Sequence, residues 1–278
     1  MKITFLSDNK TEKAKCIAEW GLSILVESRG HKLLFDVGAS PIFARNAKAL
    51  GIDLAEVEAV AISHGHFDHT DGIEAFDEIN KTAPVYIHKD GLDDDFAVMS
   101  DGSLDPMNDG IRWSEEFKET IMPRLVLTEG VTKVFDNMIL AGNIPLLPEY
   151  PMTEQFVRPS REKDGEYVPD PMDHEQFLVV KEDEGIFIIS GCSHKGVMSI
   201  ISNAKDLFPS ERILGFIGGM HLYPLDHDEM EKVVDMICGL DMECVFPVHC
   251  TGMEAIIMFK EKLGKKCVIA AAGETYEC

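Results

Sequence analysis

The opening third of the chain alternates short apolar runs with turn and helix signals. Three such runs predict strands: residues 2–6, 22–26 and 32–35. A Ser-Arg-Gly-His turn at 28–31 joins the last two runs, which therefore predict a hairpin. Pro41 then begins a helical pattern that continues to Leu50, and Gly51 supplies its stop signal. This order indicates a chain that mixes sheets with helices.

A second set of apolar runs fills most of the remaining chain. Residues 58–62 predict a buried strand that leads into a His-rich turn, and residues 176–181 and 185–190 predict a second hairpin. The later elements are strand 84–88, helix 197–207, strand 213–217, helix 226–237, strand 244–248, helix 252–263 and strand 267–271. Paired strands and helices in both halves predict an α/β (α+β) fold with two sheets face to face and helices outside, in one domain spanning residues 1–278.

Two stretches interrupt this regular pattern. Residues 89–123 contain acidic runs and several Asp-Gly or Asp-Pro pairs, and residues 143–173 contain many of the prolines. Long irregular segments inside a compact domain are often lids or binding loops. Plain surface insertions are an equally good interpretation, so the role of both insertions stays open at this point.

Composition narrows the class of protein. The 278 residues carry 45% hydrophobic side chains and a net charge of −23, which disfavours a general nucleic-acid binder because an acidic surface repels phosphate. No signal peptide and no bilayer-spanning apolar run are recognised, so we expect a cytoplasmic protein without a membrane partner. Seven cysteines without a Cys-x-x-Cys pair indicate neither a disulfide framework nor a zinc ribbon. A small-molecule substrate is the expected partner, and a homo-oligomer is compatible with these features.

Histidine placement is the strongest signal of chemistry. The run His64-x-His66-x-Asp68-His69 directly follows the strand predicted at 58–62. In an extended turn His64 and His66 point the same way and can bind one cation, while Asp68 and His69 reach a second cation beside it. Buried His and Asp side chains without a ligand would be costly. Three further histidines follow predicted strands: His194, His221 and His249.

With these residues the sequence resembles the metallo-β-lactamase superfamily, whose His-x-His-x-Asp-His signature follows a buried strand. Leu-Phe-Asp-Val-Gly at 34–38 looks like its Asp-x-Gly strand end, in which the Asp orients a metal ligand. The resemblance implies a four-layer αββα sandwich of the metallo-β-lactamase type over essentially the whole chain. More narrowly, the sequence resembles the branch that includes archaeal dihydropterin-methyl-ribofuranosylaminobenzene-phosphate synthases and bacterial metal-dependent hydrolases. The motifs that carry this are Glu-Trp-Gly-Leu-Ser at 19–23, Gly-Cys-Ser-His at 191–194, Gly-Gly-Met-His at 218–221 and His-Cys-Thr-Gly at 249–252.

The resemblance assigns metal ligands residue by residue. His64 and His66 match the ligands of the first metal, and Asp68 and His69 match those of the second. His249, at a predicted strand end before the last helix, matches the final histidine ligand of the superfamily.

Other positions carry two interpretations each. Cys192 stands where the superfamily usually has a bridging Asp, and a thiolate is a competent zinc ligand, but a small buried thiol is the alternative. The third ligand of the first metal is either His174, where the branch has an acidic residue, or His194, two residues after Cys192. His221 resembles the proton-donating histidine of some phosphodiesterases in the superfamily, and a core histidine is the alternative.

The favoured function is a metal-dependent hydrolase in which a metal-bound hydroxide attacks an ester, phosphodiester or related bond. The cofactor is predicted as two divalent metal ions, zinc first, with manganese, iron or magnesium as alternatives. The predicted catalytic residues are Asp68, His194 and His221. The narrower resemblance implies an alternative, a transferase that joins a dihydropterin methyl diphosphate to an aminobenzene ribofuranosyl phosphate. A metal or thiol sensor that uses Cys192 and Cys250 is the third hypothesis.

Overall fold

The framework of the molecule consists of two large β-sheets, seen in a computed structural model that describes residues 1–147 and 156–278. The strands are β1 (Lys2–Ser7), β2 (Ser23–Ser28), β3 (His31–Phe35), β4 (Ala59–Ala61), β5 (Val85–His88), β6 (Phe96–Ala97), β7 (Leu125–Thr128), β8 (Val131–Phe135), β9 (Met138–Ala141), β10 (Phe156–Pro159), β11 (Tyr167–Asp170), β12 (Phe177–Glu182), β13 (Gly185–Ser190), β14 (Ile213–Gly218), β15 (Cys244–Pro247) and β16 (Thr275–Glu277). The helices are α1 (Ile42–Leu50), α2 (Phe67–Thr70), α3 (Ile73–Ile79), α4 (Glu115–Ile121), α5 (Val197–Leu207), α6 (His227–Cys238) and α7 (Met253–Leu263). Within the described residues, no helix has both the length and the apolar character needed to cross a membrane.

The two sheets pack face to face between two layers of helices. The first sheet has the strand order β16-β1-β2-β3-β4-β5-β7, and the second has the order β15-β14-β13-β12-β9-β8. Their facing sides bury a common core that includes Phe5, Phe35 and Phe246. Helices α1 and α3 cover the outer face of the first sheet through Phe43 and Phe76, whereas α5, α6 and α7 cover the second. This layer order confirms the four-layer αββα sandwich expected from the sequence.

The strands of the first sheet are apolar on both faces because both faces are covered. Ile24 and Val26 of β2 and Leu33 of β3 belong to the core between the sheets. Leu25 and Leu34, one position along, point to the core under the helices instead. This period of two follows from the pleat of a strand, and each large apolar side chain buried in this way contributes roughly 1.5–3 kcal/mol.

Most of the predicted elements are confirmed, but the last strand is not. Both hairpins form, since β2 pairs with β3 and β12 pairs with β13 in antiparallel register. Gly51, at a left-handed φ of 78°, caps α1 as expected. The strand predicted at 267–271 is wrong, because this run makes an isolated bridge between Cys267 and Val245, and the final strand is β16, paired with β1. The apolar pattern there reflects the burial of Cys267 and Ala270, not strand pairing.

The two predicted insertions contain more secondary structure than their sequence pattern indicates. Insertion 89–123 holds β6 and α4, and insertion 143–173 holds β10 and β11, while residues 148–155 lie outside the described residues. Strands β11, β10 and β6 form a three-stranded sheet in which Phe156 lies opposite Ala97. The two insertions pair with each other, so neither shows a strand period when it is considered alone.

Candidate metal centre

The predicted site residues lie on loops that follow the carboxyl ends of strands. His64 follows β4 in the first sheet, and Cys192, His221 and His249 follow β13, β14 and β15 in the second. Strands β13, β14 and β15 are parallel, so their carboxyl ends meet at one edge. All nine predicted site residues are buried, with at most 6% of any one exposed. The fold therefore brings distant parts of the chain to one place.

Left-handed backbone conformations are concentrated at this edge. Asp36, Ser193, His221 and His249 have φ values of 57°, 62°, 47° and 51°. Such conformations are unfavourable for residues other than glycine and cost on the order of 1–3 kcal/mol each. Strain of this kind persists where the surrounding structure holds a side chain in a functional orientation, and these four residues either belong to the centre or adjoin it.

His64 and His194 supply the first group of donor atoms, and the ring of His66 lies beside them. The Nε2 atoms of His64 and His194 are 3.2 Å apart. Two imidazole nitrogens bound tetrahedrally to one zinc ion lie about 3.3 Å apart, so this spacing suits a shared cation. The ring centre of His66 is 4.6 Å from that of His64 and 4.7 Å from that of His194. His64 and His194 are therefore spaced so that both could bind the same cation.

His174, the other candidate for the third ligand of the first metal, lies farther back. Its ring centre is 6.3 Å from that of His64 and 6.0 Å from that of His66. Its Nδ1 accepts a hydrogen bond from the backbone N–H of Gly65 at 3.1 Å, and its Nε2 is 3.8 Å from Asp170 Oδ2. His174 shares a donor set with His66 and Asp95, whereas His194 shares one with His64 and Cys192.

The second group consists of Asp68, His69, His249 and Cys192. His249 Nε2 is 3.2 Å from Asp68 Oδ2, and His69 Nε2 is 3.1 Å from Cys192 Sγ. Cys192 Sγ also lies within 4.8 Å of donor nitrogens of both His64 and His194. The thiol of Cys192 therefore lies between the two groups.

Carboxylates and an amide contact the two histidines of the second group. Asp36 Oδ2 is 2.7 Å from His69 Nδ1, as the Asp-x-Gly resemblance implies. Asn9 Oδ1 is 2.8 Å from His249 Nδ1, and Asp8 Oδ1 accepts the His249 backbone N–H at 2.8 Å. Such contacts fix the tautomer and the ring orientation of a ligand. The roles of Asp8 and Asn9 were not predicted, although their position at the end of β1 was a possible signal.

Two further orienting carboxylates are missing from the sequence prediction. Asp95, in the insertion 89–123, places Oδ2 3.0 Å from His66 Nε2. Glu175 accepts the backbone N–H groups of His194 and Lys195 at 2.6 and 2.8 Å, and burial raises its pKa. Asp95 lies in an acidic run without a distinguishing pattern, whereas Glu175 adjoins the position where an acidic residue was expected.

The protonation states of His64, His194 and Asp68 fit a divalent cation. Burial lowers the pKa of His64 and of His194 well below the usual range, and neighbouring imidazoles lower it further. Burial opposes ionisation of Asp68, but the imidazoles of His69 and His249 outweigh it and hold the pKa of this carboxyl well below its usual value. Neutral imidazoles and an ionised carboxylate are the forms that bind metal, so the residues present suit the group that the fold implies.

A cavity of about 510 Å³ opens above these donors. We call His66, Asp68, Cys192, His194 and His249 its floor. We call Trp20, Met99, Met107 and Tyr223 its rim. His221 also lines the cavity, and its ring centre is 4.2 Å from that of His194. A buried polar floor under an apolar rim is typical of a site that binds and transforms a small molecule.

Comparison with known proteins decides the family. The sequence profile of the metallo-beta-lactamase superfamily matches residues 21–209. The chain belongs to the metallo-beta-lactamase superfamily. MJ0448 of Methanocaldococcus jannaschii is 33% identical over 260 residues, which cover 91% of this chain and 92% of that protein. The 7,8-dihydropterin-6-methyl-4-(beta-D-ribofuranosyl)-aminobenzene-5'-phosphate synthase of the same organism is 29% identical over 257 residues, or 88% of this chain and 85% of that enzyme.

Solved structures agree with this assignment to the metallo-beta-lactamase superfamily. Tm1679, described as a metal-dependent hydrolase of the beta-lactamase superfamily, matches with a TM-score of 0.83 at 33% identity, over 100% of this chain and 99% of its own. Zinc-bound PqqB from Methylobacterium extorquens matches over 100% of both chains with a TM-score of 0.59 at 12% identity, which shows a common fold alone. The resemblance to the superfamily, and to archaeal pterin synthases within it, is confirmed.

Proposed function

We propose that the protein is a metal-dependent hydrolase that cleaves an ester, phosphodiester or related bond of a small molecule with two divalent cations. The observation that carries this proposal is the meeting of two donor groups at Cys192, one containing His64 and His194 and the other His69 and His249. The likeness to the hydrolase Tm1679 supports it. Zinc is the first choice because imidazole and thiolate donors suit it well.

Each residue has a proposed part. The first cation would be held by His64, His66 and His194, and the second by Asp68, His69 and His249, with Cys192 between them. Bound cations would lower the pKa of a water molecule and offset the negative charge that develops on the substrate. Asp68, whose pKa is held low, keeps an ionised carboxylate at the floor at neutral pH. His221 lines the same cavity and would donate a proton to the leaving group.

The test of this function is the removal of one ligand with the fold preserved. His66→Ala should lower metal-dependent turnover on ester and phosphodiester panels at least about 1,000-fold, because the first cation loses a ligand. The matched control is His227→Ala, since His227 is exposed on α6 and pairs with Glu254. Circular dichroism and elemental analysis of both variants separate loss of metal from loss of fold. Full turnover of a folded His66→Ala protein would refute the assignment.

A second candidate function is the transfer of a pterin group. The archaeal synthase that matches 88% of this chain favours it, and so do the aromatic side chains of Trp20, Phe156 and Tyr223 around the cavity, which can stack on a planar ring. In this reaction a bond forms between the pterin methyl carbon and an aromatic amine, the bond to diphosphate breaks, and the amine loses a proton. The cations would then neutralise the leaving diphosphate.

Release of diphosphate separates the two candidates. The metal-loaded protein is incubated with a hydroxymethyl-dihydropterin diphosphate, with and without an aminobenzene ribofuranosyl phosphate. Transferase activity gives diphosphate and a coupled product that depend on the amine. Diphosphate release that does not depend on the amine, together with turnover of simple esters, supports the hydrolase and excludes the transferase.

A further inference from the structure

A second thiol adjoins Cys192 at the floor of the cavity. Cys250 follows His249 in the short turn His249–Thr251 and is 1% exposed. Its Sγ is 3.6 Å from the carbonyl oxygen of Cys192, to which it donates. The two sulfur atoms and a ring nitrogen of His221 all lie within 4.8 Å of one another. Cys250 has no part in either of the two donor groups assigned above.

The fold makes room for this thiol. A Cβ atom at Gly219 would lie 2.6 Å from Cys250 Sγ and 2.5 Å from the carbonyl oxygen of Gly191, so a side chain here would displace the thiol. The loops that carry His221 and Cys250 are also joined, because Tyr223 N–H donates to the Cys250 carbonyl at 3.4 Å. His221 itself has the left-handed φ of 47°. These features hold the donor atoms of Cys192, His221 and Cys250 close together in the protein interior.

The donor set selects a class of cation. Two thiolates and an imidazole suit zinc and cadmium, whereas magnesium and manganese prefer oxygen ligands. In a tetrahedral zinc site with Zn–S of about 2.3 Å, ligand atoms are roughly 3.5–3.8 Å apart. The three donor atoms here lie within 4.8 Å of one another, which is compatible with that separation. We propose that Cys192, His221 and Cys250 form a binding position for a thiophilic divalent cation, which adjoins the binuclear centre and shares Cys192 with it. Binding releases the two thiol protons to solvent.

This position rests on the proposed function and shares two residues with it: Cys192 is a ligand in both, and His221 can donate a proton to the leaving group only while the new position is empty. A cation bound by Cys192, His221 and Cys250 has two sulfur ligands, whereas a cation in either of the two groups described above has at most one. The number of thiolates per bound cation therefore distinguishes the new position from the binuclear centre without any measurement of turnover.

The experiment is a titration of the metal-free, full-length protein with Cd²⁺, followed by thiolate-to-cadmium charge-transfer absorbance in the ultraviolet. We expect absorbance from two thiolates in the wild type and about half of it in Cys250→Ser. Cys192→Ser should also retain about half, supplied by Cys250. Cys238→Ser is the control, since Cys238 ends α6 and belongs to none of the donor groups. Circular dichroism confirms the fold of each variant before titration.

The outcomes separate this inference from the proposed function. Full absorbance in Cys250→Ser, or complete loss of absorbance in Cys192→Ser, overturns the new position and leaves the binuclear centre standing. Half absorbance in both variants, with Cys238→Ser unchanged, establishes it. If Cys250→Ser does not fold, Cys192→Ser alone decides, because any remaining thiolate absorbance there comes from Cys250. A wild type that binds no Cd²⁺ or Zn²⁺ overturns both proposals.

Discussion

The floor and the rim of the cavity are built in opposite ways. The floor consists of titratable side chains at the carboxyl ends of strands, each at most 6% exposed. The rim consists of large apolar side chains that face solvent, with Trp20, Met99, Met107 and Tyr223 exposed by 48%, 47%, 46% and 44%. Exposed apolar side chains gathered around one opening are typical of a binding surface. The floor is therefore suited to chemistry and the rim to the choice of substrate.

The floor and the rim also differ in how firmly neighbouring residues hold their side chains. His66 and His249 at the floor each have a polar partner for a second ring nitrogen, Asp95 and Asn9 respectively. At the rim, Trp20 meets the ring of Tyr223 edge to face at 5.4 Å, which fixes orientation much less. Precise placement is needed where bonds break, whereas a surface that receives a substrate can adapt. Three predictions test this contrast, beginning with the largest expected effect.

Acidification should destabilise the metal-free protein through the donors beneath the cavity. Burial lowers the pKa of His64 and His194 well below 6.5, and that of His174 to about 3. As the pH falls below 6.5, these histidines take up protons in the unfolded chain but stay neutral in the folded protein. The free energy of unfolding therefore decreases below pH 6.5. Three such histidines should lower the free energy of unfolding by about 3 kcal/mol between about pH 7 and about pH 5.5. Urea unfolding in the presence of a chelator measures this.

A carboxyl group of the cavity wall provides the control. Burial raises the pKa of Asp109 to about 6. Protonation of this carboxyl therefore stabilises the folded protein as the pH falls through that value. Asp109→Asn should therefore make the acid-induced loss steeper than in the wild type. The absence of any acid-induced loss in Asp109→Asn as well as in the wild type would contradict the assigned state of the histidines.

The same contrast explains how much of the site the sequence predicts. The His64–His69 run can be recognised in the sequence because its spacing is local, and Asp36 is found through the resemblance. The other partners of these histidines cannot be recognised in this way, because they come from distant parts of the chain. Asp8 and Asn9 meet His249 across 241 and 240 positions. Such contacts depend on how the two sheets pack, and the periodicity of the sequence does not predict that packing.

The insertions were hard to predict for the same physical reason. Strand β6 pairs with β10 across more than fifty positions, so each segment alone has no second strand to reveal it. The layered fold was predictable because the alternation of inward and outward side chains in β2 and β3 is a property of each strand by itself. Local periodicity therefore predicted the framework, and long-range pairing determined the cavity wall.

Asp95 should set the metal affinity of the floor. Its carboxylate lies 3.0 Å from His66 Nε2 and accepts a hydrogen bond from that nitrogen, so that Nδ1 would be the nitrogen available to a cation. Asp95→Ala should weaken zinc binding by roughly 10- to 100-fold, and Asp95→Asn by less, because an amide oxygen still accepts the hydrogen bond. Competition with a chromophoric chelator measures the affinity. The matched control is Asp94→Ala, since Asp94 is exposed and contacts Asn108. Equal affinities of Asp94→Ala and Asp95→Ala would show that the floor does not depend on this contact.

The smallest effect is expected at the rim, in Trp20→Leu. The lost aromatic contact with a substrate is worth about 0.5–1.5 kcal/mol, so KM should rise by roughly two- to tenfold. The kcat should change by less than about twofold, because the rim contacts no bond that breaks. Ile257→Ala, which truncates an exposed side chain on α7, controls for loss of surface area and should leave both constants unchanged. Trp20 also lies 5.3 Å from the ring of His249, so metal content must be measured beside the kinetics. A fall in kcat with unchanged metal content would place Trp20 in the catalytic step and remove the separation between rim and floor.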